Sequence, residues 1–313
     1  MIYAVWVPLL MPLFVAPAAR WLAELLAPRQ AVRLLTAAAL TLGGCSAAAL
    51  GMLVVAGLLR LPPVAALGRL IHPVSGDGPV TTVAAVAAAA ALVCCAGALV
   101  RTVLRHRAEL RAARLRIGTG GELAVVRDTA PDAYALPGRP GRIVVTTGML
   151  RALAPAEREA LFAHERAHLA GRHHLFSAAA ELASLCHPAL RGLREPLGYA
   201  LERCADESAA GAVGDRSLAA RAIGRAALAA HRTPTARPGV VLAATAGPVP
   251  RRVAALLGHR PAGAARHGWH GRAARVLAGA LLVCLSLSAG GALDAATDLH
   301  GGIEAAQAGP GHH

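Results

Sequence analysis

The chain contains no lysine: all 32 of its basic residues are arginine. No site in it can therefore rest on a lysine amine. Charge of either sign is scarce, at 16% of 313 residues against 55% hydrophobic. That balance excludes both a disordered chain and a compact soluble enzyme. Aromatic residues make up only 3%. With the missing lysine, this reads as a compositional bias of the genome rather than a functional signal. None of the six cysteines stands in a Cys-x-x-Cys pair, so neither a disulfide framework nor a thiolate zinc site is indicated. Their expected role is that of small buried hydrophobes. With a net charge of +14, the composition points to a membrane protein with an arginine-rich soluble part.

Four stretches reach the roughly 20 apolar residues needed to cross a bilayer without carrying a formal charge. They lie at about 1–19, 34–59, 80–100 and 276–293. The first contains Pro8, Pro12 and Pro17, which predicts a kinked helix. Ala16-Pro17-Ala18 is similar to a signal-peptide cleavage site. The positive leading region of a signal peptide is missing, however, and Arg20 follows directly, so the segment is expected to remain as an uncleaved span.

Arginine then sets the orientation. The connection 20–33 carries three arginines, 60–79 two, and 101–275 carries 27 against 13 acids, while the tail from Asp294 has none. Arginine-rich and arginine-poor segments alternate. They place the N-terminus and the tail outside and residues 101–275 in the cytoplasm of a multi-pass plasma-membrane protein. The predicted organisation is three spans within 1–100, a cytoplasmic domain over 101–275, a fourth span at 276–293 and a short external tail at 294–313. The cluster Arg101, Arg105, Arg107, Arg111, Arg114 and Arg116 directly after the third span is expected to lie on anionic lipid rather than on nucleic acid. From Arg216 to Arg275 there are eleven arginines and no acid. Such a segment can dock an acidic partner, but positive-inside loading explains it more simply.

Residues 155–170 read PAEREALFAHERAHLA. Pro155 suits a first helical position, Glu157 and Glu159 favour the positive end of the helix dipole, and Gly171 is placed to end the helix. Within this helix stands His164-Glu165-Arg166-Ala167-His168. Histidines four apart share a helix face, so both imidazoles can reach one zinc ion, and Glu165 can polarise a water at an open coordination position for attack on a peptide carbonyl. Two residues can complete such a site. The string HERAHLAGRHH fits the metzincin spacing and would make His174 the third ligand, but metzincins need a later methionine turn. No methionine follows Met149. The other candidate is Glu202, followed four residues later by Asp206 on the same helix face. One carboxylate can bind zinc while the other holds a ligand imidazole. His173 and His174 are then expected to pack beside the site. The 34 residues between His168 and Glu202 leave room for a helix over 172–186, a turn at His187-Pro188 and a returning helix.

His-Glu-x-x-His followed by Glu-x-x-x-Asp resembles the integral-membrane gluzincins: the HtpX and CAAX-prenyl-protease group and the BlaR/MecR antibiotic-sensor metallopeptidases. AYALPGRPGRIVVTTGMLRAL (133–153) is similar to the strand and turn that precede the zinc helix in those families. CHPAL (186–190) stands where BlaR/MecR proteins have Asn-Pro-Leu. Three spans before the motif, one after it and an external N-terminus match the BlaR/MecR arrangement. Two features depart from it. Cys204 and Ala205 precede Asp206, where BlaR/MecR proteins place cysteine immediately before the aspartate; this order leans toward the HtpX group. The chain also ends about twenty residues after the fourth span and has no lysine. No penicillin-binding sensor domain with Ser-x-x-Lys and Lys-Thr-Gly motifs is therefore expected.

The resemblance implies a mainly α membrane protein: four transmembrane helices, with a helical gluzincin-type zinc peptidase domain carrying a small β-sheet inserted between spans 3 and 4. His164, His168 and Glu202 would bind Zn2+, Glu165 would serve as general base and then acid, and Asp206 would orient a ligand. The substrate implied is a BlaI/MecI-type winged-helix repressor, or the protease itself. Quality control of membrane proteins, or a non-catalytic scaffold, are the competing roles. Arg142–Thr147 is β-rich and alternates poorly. It is expected either to receive substrate as an edge strand or to complete a small sheet. No oxyanion donor can be named; His231 and several arginines are open candidates.

Overall fold

The computed structural model describes residues 2–67, 78–231, 249–258 and 269–307. Parts of the 60–79 connection, of the arginine-rich 216–275 segment and of the 294–313 tail lie outside these residues. The chain opens with α1 (Ile2–Leu25) and α2 (Pro28–Leu58), then a short α3 (Pro62–Leu67) and the long α4 (Gly78–Ile117). Three strands follow, β1 (Leu123–Val126), β2 (Ala133–Leu136) and β3 (Arg142–Thr146). After them come α5 (Thr147–Ala152), α6 (Pro155–Ala170), α7 (His173–Cys186), a 3-10 turn (Pro188–Leu193), α8 (Arg194–Val213) and α9 (Arg216–His231). The chain closes with α10 (Val249–Leu257) and α11 (Trp269–Gln307).

Three helical stretches are long and apolar enough to cross a membrane: Pro28–Leu58, Thr82–Ile117 and Gly271–Gln307. α1 qualifies only if its two halves, Ala4–Val15 and Pro17–Leu25, are taken together across a bend of 52°. Pro17 stands where the halves meet and cannot donate the backbone bond that would keep them collinear. α4 and α11 extend well past the apolar runs at 80–100 and 276–293. An apolar run marks where a helix can sit in hydrocarbon. The helix itself continues for as long as residues such as alanine, leucine and arginine favour it. The sequence boundary at 100–101 therefore falls inside one continuous helix.

The long helices form a bundle whose two ends differ. At one end Val15, Leu22, Leu35 and Leu42 of α1 and α2 join Leu281 of α11 in one core with Ala180 and Ala183 of α7 and Leu197 and Leu201 of α8. A Cβ on Gly43 would stand 3.3 Å from that of Ala183, so small residues let α7 seat directly on α2. At the other end Val5, Ala49 and Ala295 form a separate cluster. The helical body bearing α6 to α8 thus packs on a single end of the bundle. Along α4, Val83, Val86, Val93 and Val100 remain exposed on one face, as a lipid-facing surface requires.

The sheet order is β1-β3-β2, with β1 parallel and β2 antiparallel to β3. β3 is therefore the central strand, which corrects the edge-strand expectation for Arg142–Thr147. Val144 packs toward α4 with Ala113 and Leu136, while Ile143 and Val145 pack toward α6 with Leu161 and Phe162. A strand covered on both faces reads as a continuous apolar run, and this is why its alternation is poor.

Candidate metal centre

The start of α6 is fixed by short-range chemistry. Pro155 occupies the first turn, and the Ala154 backbone N–H donates to Glu157 Oε2 at 3.0 Å. Arg225 of α9 holds the same carboxylate at 3.1 Å. The helix buries His164, Glu165 and His168 together with Ala160 and Leu161. That polar and apolar face packs on α8, whose own buried face carries Glu202 and Asp206. Four-residue spacing on two packed helices thus brings both motifs to one place.

The two histidine Nε2 atoms lie 3.0 Å apart. Glu202 Oε2 is 3.5 Å from His164 Nε2, and Glu202 Oε1 is 3.4 Å from His168 Nε2. A tetrahedral ion with ligand bonds near 2.1 Å would set its donors about 3.4 Å apart; the three side chains each offer one donor atom within 4.8 Å of the others. Glu202 Oε1 is buried without a hydrogen-bond partner. Such an atom is costly unless a cation accompanies it. Together these three side chains can hold a metal ion. Neither Cys204 nor His174 belongs to the cluster.

Each donor is held from behind. Asp206 Oδ1 lies 3.0 Å from His164 Nδ1, close enough for an ion pair although the atom lacks aligned hydrogen-bond geometry. His173 Nδ1 stands 2.8 Å from His168 Nδ1. With His168 Nε2 turned to the cluster as a lone pair, its Nδ1–H must be the donor and His173 the acceptor. Gly171 makes this contact possible: a Cβ there would approach His173 Nε2 to 2.5 Å. The glycine itself is right-handed, and it is Arg172 that takes the left-handed turn, with φ of 49°.

The buried charges are balanced by a residue that sequence reasoning did not single out. Arg252 of α10 donates to both oxygens of Asp206, at 2.9 and 2.6 Å, and pairs with Glu202 Oε2 at 2.7 Å. It thereby occupies one oxygen of Glu202 and leaves the other for a metal. Burial opposes ionisation of Asp206, but the hydrogen bonds from Arg252 and the close contact with His164 outweigh it and hold the carboxyl down at about 2. Burial likewise opposes a charged Glu202, and the Arg252 charge foremost pulls its carboxyl below the ordinary range. Burial works against a charged His164 as well, yet the contacts with Asp206 and Glu202 raise it to about 10. Burial pushes His168 down to about 3 and His173 down to about 4.

The structure places all five residues proposed from the sequence, His164, Glu165, His168, Glu202 and Asp206, at the contact of α6 and α8. His174, one residue beyond His173, turns into a different cavity with Arg114 and Arg172. His231 is exposed at the end of α9. Among the described arginines, Arg252 is the one that reaches the site, and only its place among eleven acid-free arginines could have drawn attention to it.

Residues 100–193 match the family model described as Peptidase family M48, a metal-dependent peptidase family. The match takes in α6 with His164, Glu165 and His168 but stops before Glu202, Asp206 and Arg252. No curated protein matches the chain, and no solved structure does.

Proposed function

We propose that this chain is a membrane-embedded, zinc-dependent endopeptidase that cuts a cytoplasmic or membrane-proximal protein. The observation that carries the reading is the convergence of His164, His168 and Glu202, whose donor atoms lie within 4.8 Å of one another, with Glu202 Oε1 orphaned 3.4 Å from His168 Nε2. The M48 match over the segment that includes the zinc helix supports it. His164, His168 and Glu202 would hold the ion, which when bound supplies a Lewis acid and lowers the pKa of a water. Glu165, buried on the same helix, takes the proton of the attacking water and passes it to the departing amine. Asp206 keeps His164 in orientation, His173 does so for His168, and Arg252 prevents either carboxylate from being buried unpaired. Among the described strands, the outer edges of β1 and β2 are open to a substrate added as a strand, and β2 packs on α6, the helix that carries Glu165.

α1, with its bend, α2, α4 and α11 serve as four spans. Gathering of the α6–α8 body at one end of the bundle supports a single soluble side, and the arginine distribution assigns that side to the cytoplasm. By resemblance to BlaR/MecR proteins, the substrate is a BlaI/MecI-type winged-helix repressor. Ala205 before Asp206, where those proteins have cysteine, favours a second reading as an HtpX-like quality-control protease.

Purified protein is expected to carry one zinc per chain, lost when His164→Ala and His168→Ala are combined. A metal-free wild type would instead support a non-catalytic scaffold. Glu165→Ala should keep the zinc and abolish cleavage, and unchanged cleavage would remove Glu165 as the base. Expressing both forms beside a neighbouring repressor gene decides between the two substrates: equal repressor lifetimes would remove the signalling role and leave the peptidase.

A further inference from the structure

On the opposite side of the α6–α7 turn from the metal centre lies a cavity of about 550 Å³. It opens between the C-terminal part of α4, the turn joining β2 to β3 and the start of α7. Its polar wall is made of Arg114, Arg139, Arg172 and His174, and no carboxylate lines it. Among the described residues, Arg20, Arg105, Arg166, Arg216, Arg225, Arg251 and Arg252 pair with an acid, whereas exposed arginines such as Arg101 and Arg111 do not. What sets this wall apart is that three arginines gather in one cavity. Among the described residues, Arg114, Arg139 and Arg172 have no such ion pair.

We propose that this cavity binds a small, soluble, phosphate-bearing anion. The guanidinium of Arg114 is already fixed, donating through Nε and Nη2 to the Pro137 carbonyl at 3.0 and 2.6 Å. Gly138 lets the turn close over it, since a Cβ there would come within 2.7 Å of the Pro140 carbonyl oxygen and 3.4 Å of Arg114 Nε. Gly141 seats the same turn on α6, where a Cβ would reach 3.0 Å from Leu169 Cδ2. Arg172 holds a left-handed backbone that a non-glycine residue adopts only at some cost. Burial disfavours a charged His174, as do the nearby Arg114 and Arg172 charges, so the cluster lacks only a compensating anion.

Planar forked guanidinium groups suit phosphate oxygens. The volume falls within the range of small-ligand sites and exceeds what one inorganic ion fills. Leu110, Leu169 and Leu175 give the remainder a short apolar wall, and no phenylalanine, tyrosine or tryptophan lines it. A phosphate monoester with a modest aliphatic portion fits that lining. A lipid headgroup fits less well. Arg114 lies fourteen residues past Val100 on a continuous helix, about 21 Å along its axis at 1.5 Å per residue, well over a Debye length.

The test titrates the zinc-loaded full chain, in detergent and in neutral-lipid nanodiscs, with inorganic phosphate and pyrophosphate at constant ionic strength. Saturable binding is expected, weakened roughly tenfold or more by Arg114→Gln or Arg172→Gly and unchanged by Arg151→Gln on α5. Arg172→Gly removes the cation while relieving the left-handed backbone, so retained zinc and helix content keep its result interpretable. Equal affinity in the arginine variants would overturn the proposal, as would loss of binding only on combining His164→Ala with His168→Ala, which would place the anion on the metal. Protection by phosphatidylglycerol nanodiscs without any binding of soluble phosphate would also overturn it, in favour of a lipid.

Discussion

The metal centre and the cationic cavity share one turn of chain, Gly171 to His174, and treat charge in opposite ways. In the centre, Arg252 is buried and each of its donors faces a carboxylate oxygen. In the cavity, Arg139 and Arg172 are exposed and no acid answers them. Burial accounts for the difference. An unmatched charge inside the fold loses several kcal/mol of hydration, whereas solvent screens one at a concave surface until a ligand replaces the water. Identical side chains are thus structural in one place and available for binding in the other.

The largest expected effect breaks the balanced side. Arg252→Met leaves Glu202 and Asp206 buried without their cation and should destabilise the chain by about 3–5 kcal/mol, read by chemical denaturation in detergent. A loss below 1 kcal/mol would show that the centre is open to water. Next comes the shared turn: Gly171→Ala should push His173 off His168 and weaken zinc affinity by roughly 10–100-fold. This is measured by chelator competition, with His173→Ala giving a similar loss. Arg172→Gly, on the unbalanced side, should change stability by less than about 1 kcal/mol and in the stabilising direction. A large loss would mean that this arginine is structural too.

The smallest effect concerns pH. His174 has a folded-state value below its ordinary 6.5, so the unfolded chain binds its proton more readily. Its contribution to stability is complete above about pH 6.5 and is lost as the pH falls below that value toward its folded one. His174→Gln should therefore reduce the stability gap between pH 7.5 and pH 5.5 relative to wild type, as read from thermal unfolding. An identical gap in the two proteins would count against the burial of this imidazole.

These contrasts also explain what could be read from the sequence. The gathering of His164, His168 and Glu202 was legible because histidines four apart share a helix face and because that pair gives meaning to a downstream Glu202 and Asp206, whose own spacing would otherwise suit a solvated face. Arg252 was not legible. Its partnership with Asp206 spans 46 residues, and nothing local separates it from ten other arginines in an acid-free stretch. The cavity escaped notice for a related reason: Arg114, Arg139 and Arg172 come from three separate segments, and Arg114 reads as one more lipid-facing charge. The sheet order was hidden as well. β1 pairs with β3 although β2 lies between them in sequence, so of the two roles open to Arg142–Thr147 the strand completes the sheet from its centre and does not form its edge. The apolar runs indicated where hydrocarbon begins and ends but not where α4 and α11 stop.

Arg251 and Arg252 stand side by side on α10, yet they reach to helices made at very different points of synthesis. Arg251 pairs with Glu24 at the close of the first helix, and Arg252 pairs with Glu202 and Asp206. A nascent chain that has emerged only as far as α9 holds two carboxylates that it cannot bury cheaply. The centre closes when α10 is made and finds α1 already in place. Synthesis of α10 thus supplies the cation that both carboxylates need, and a fragment released before it is left with an open, uncompensated site.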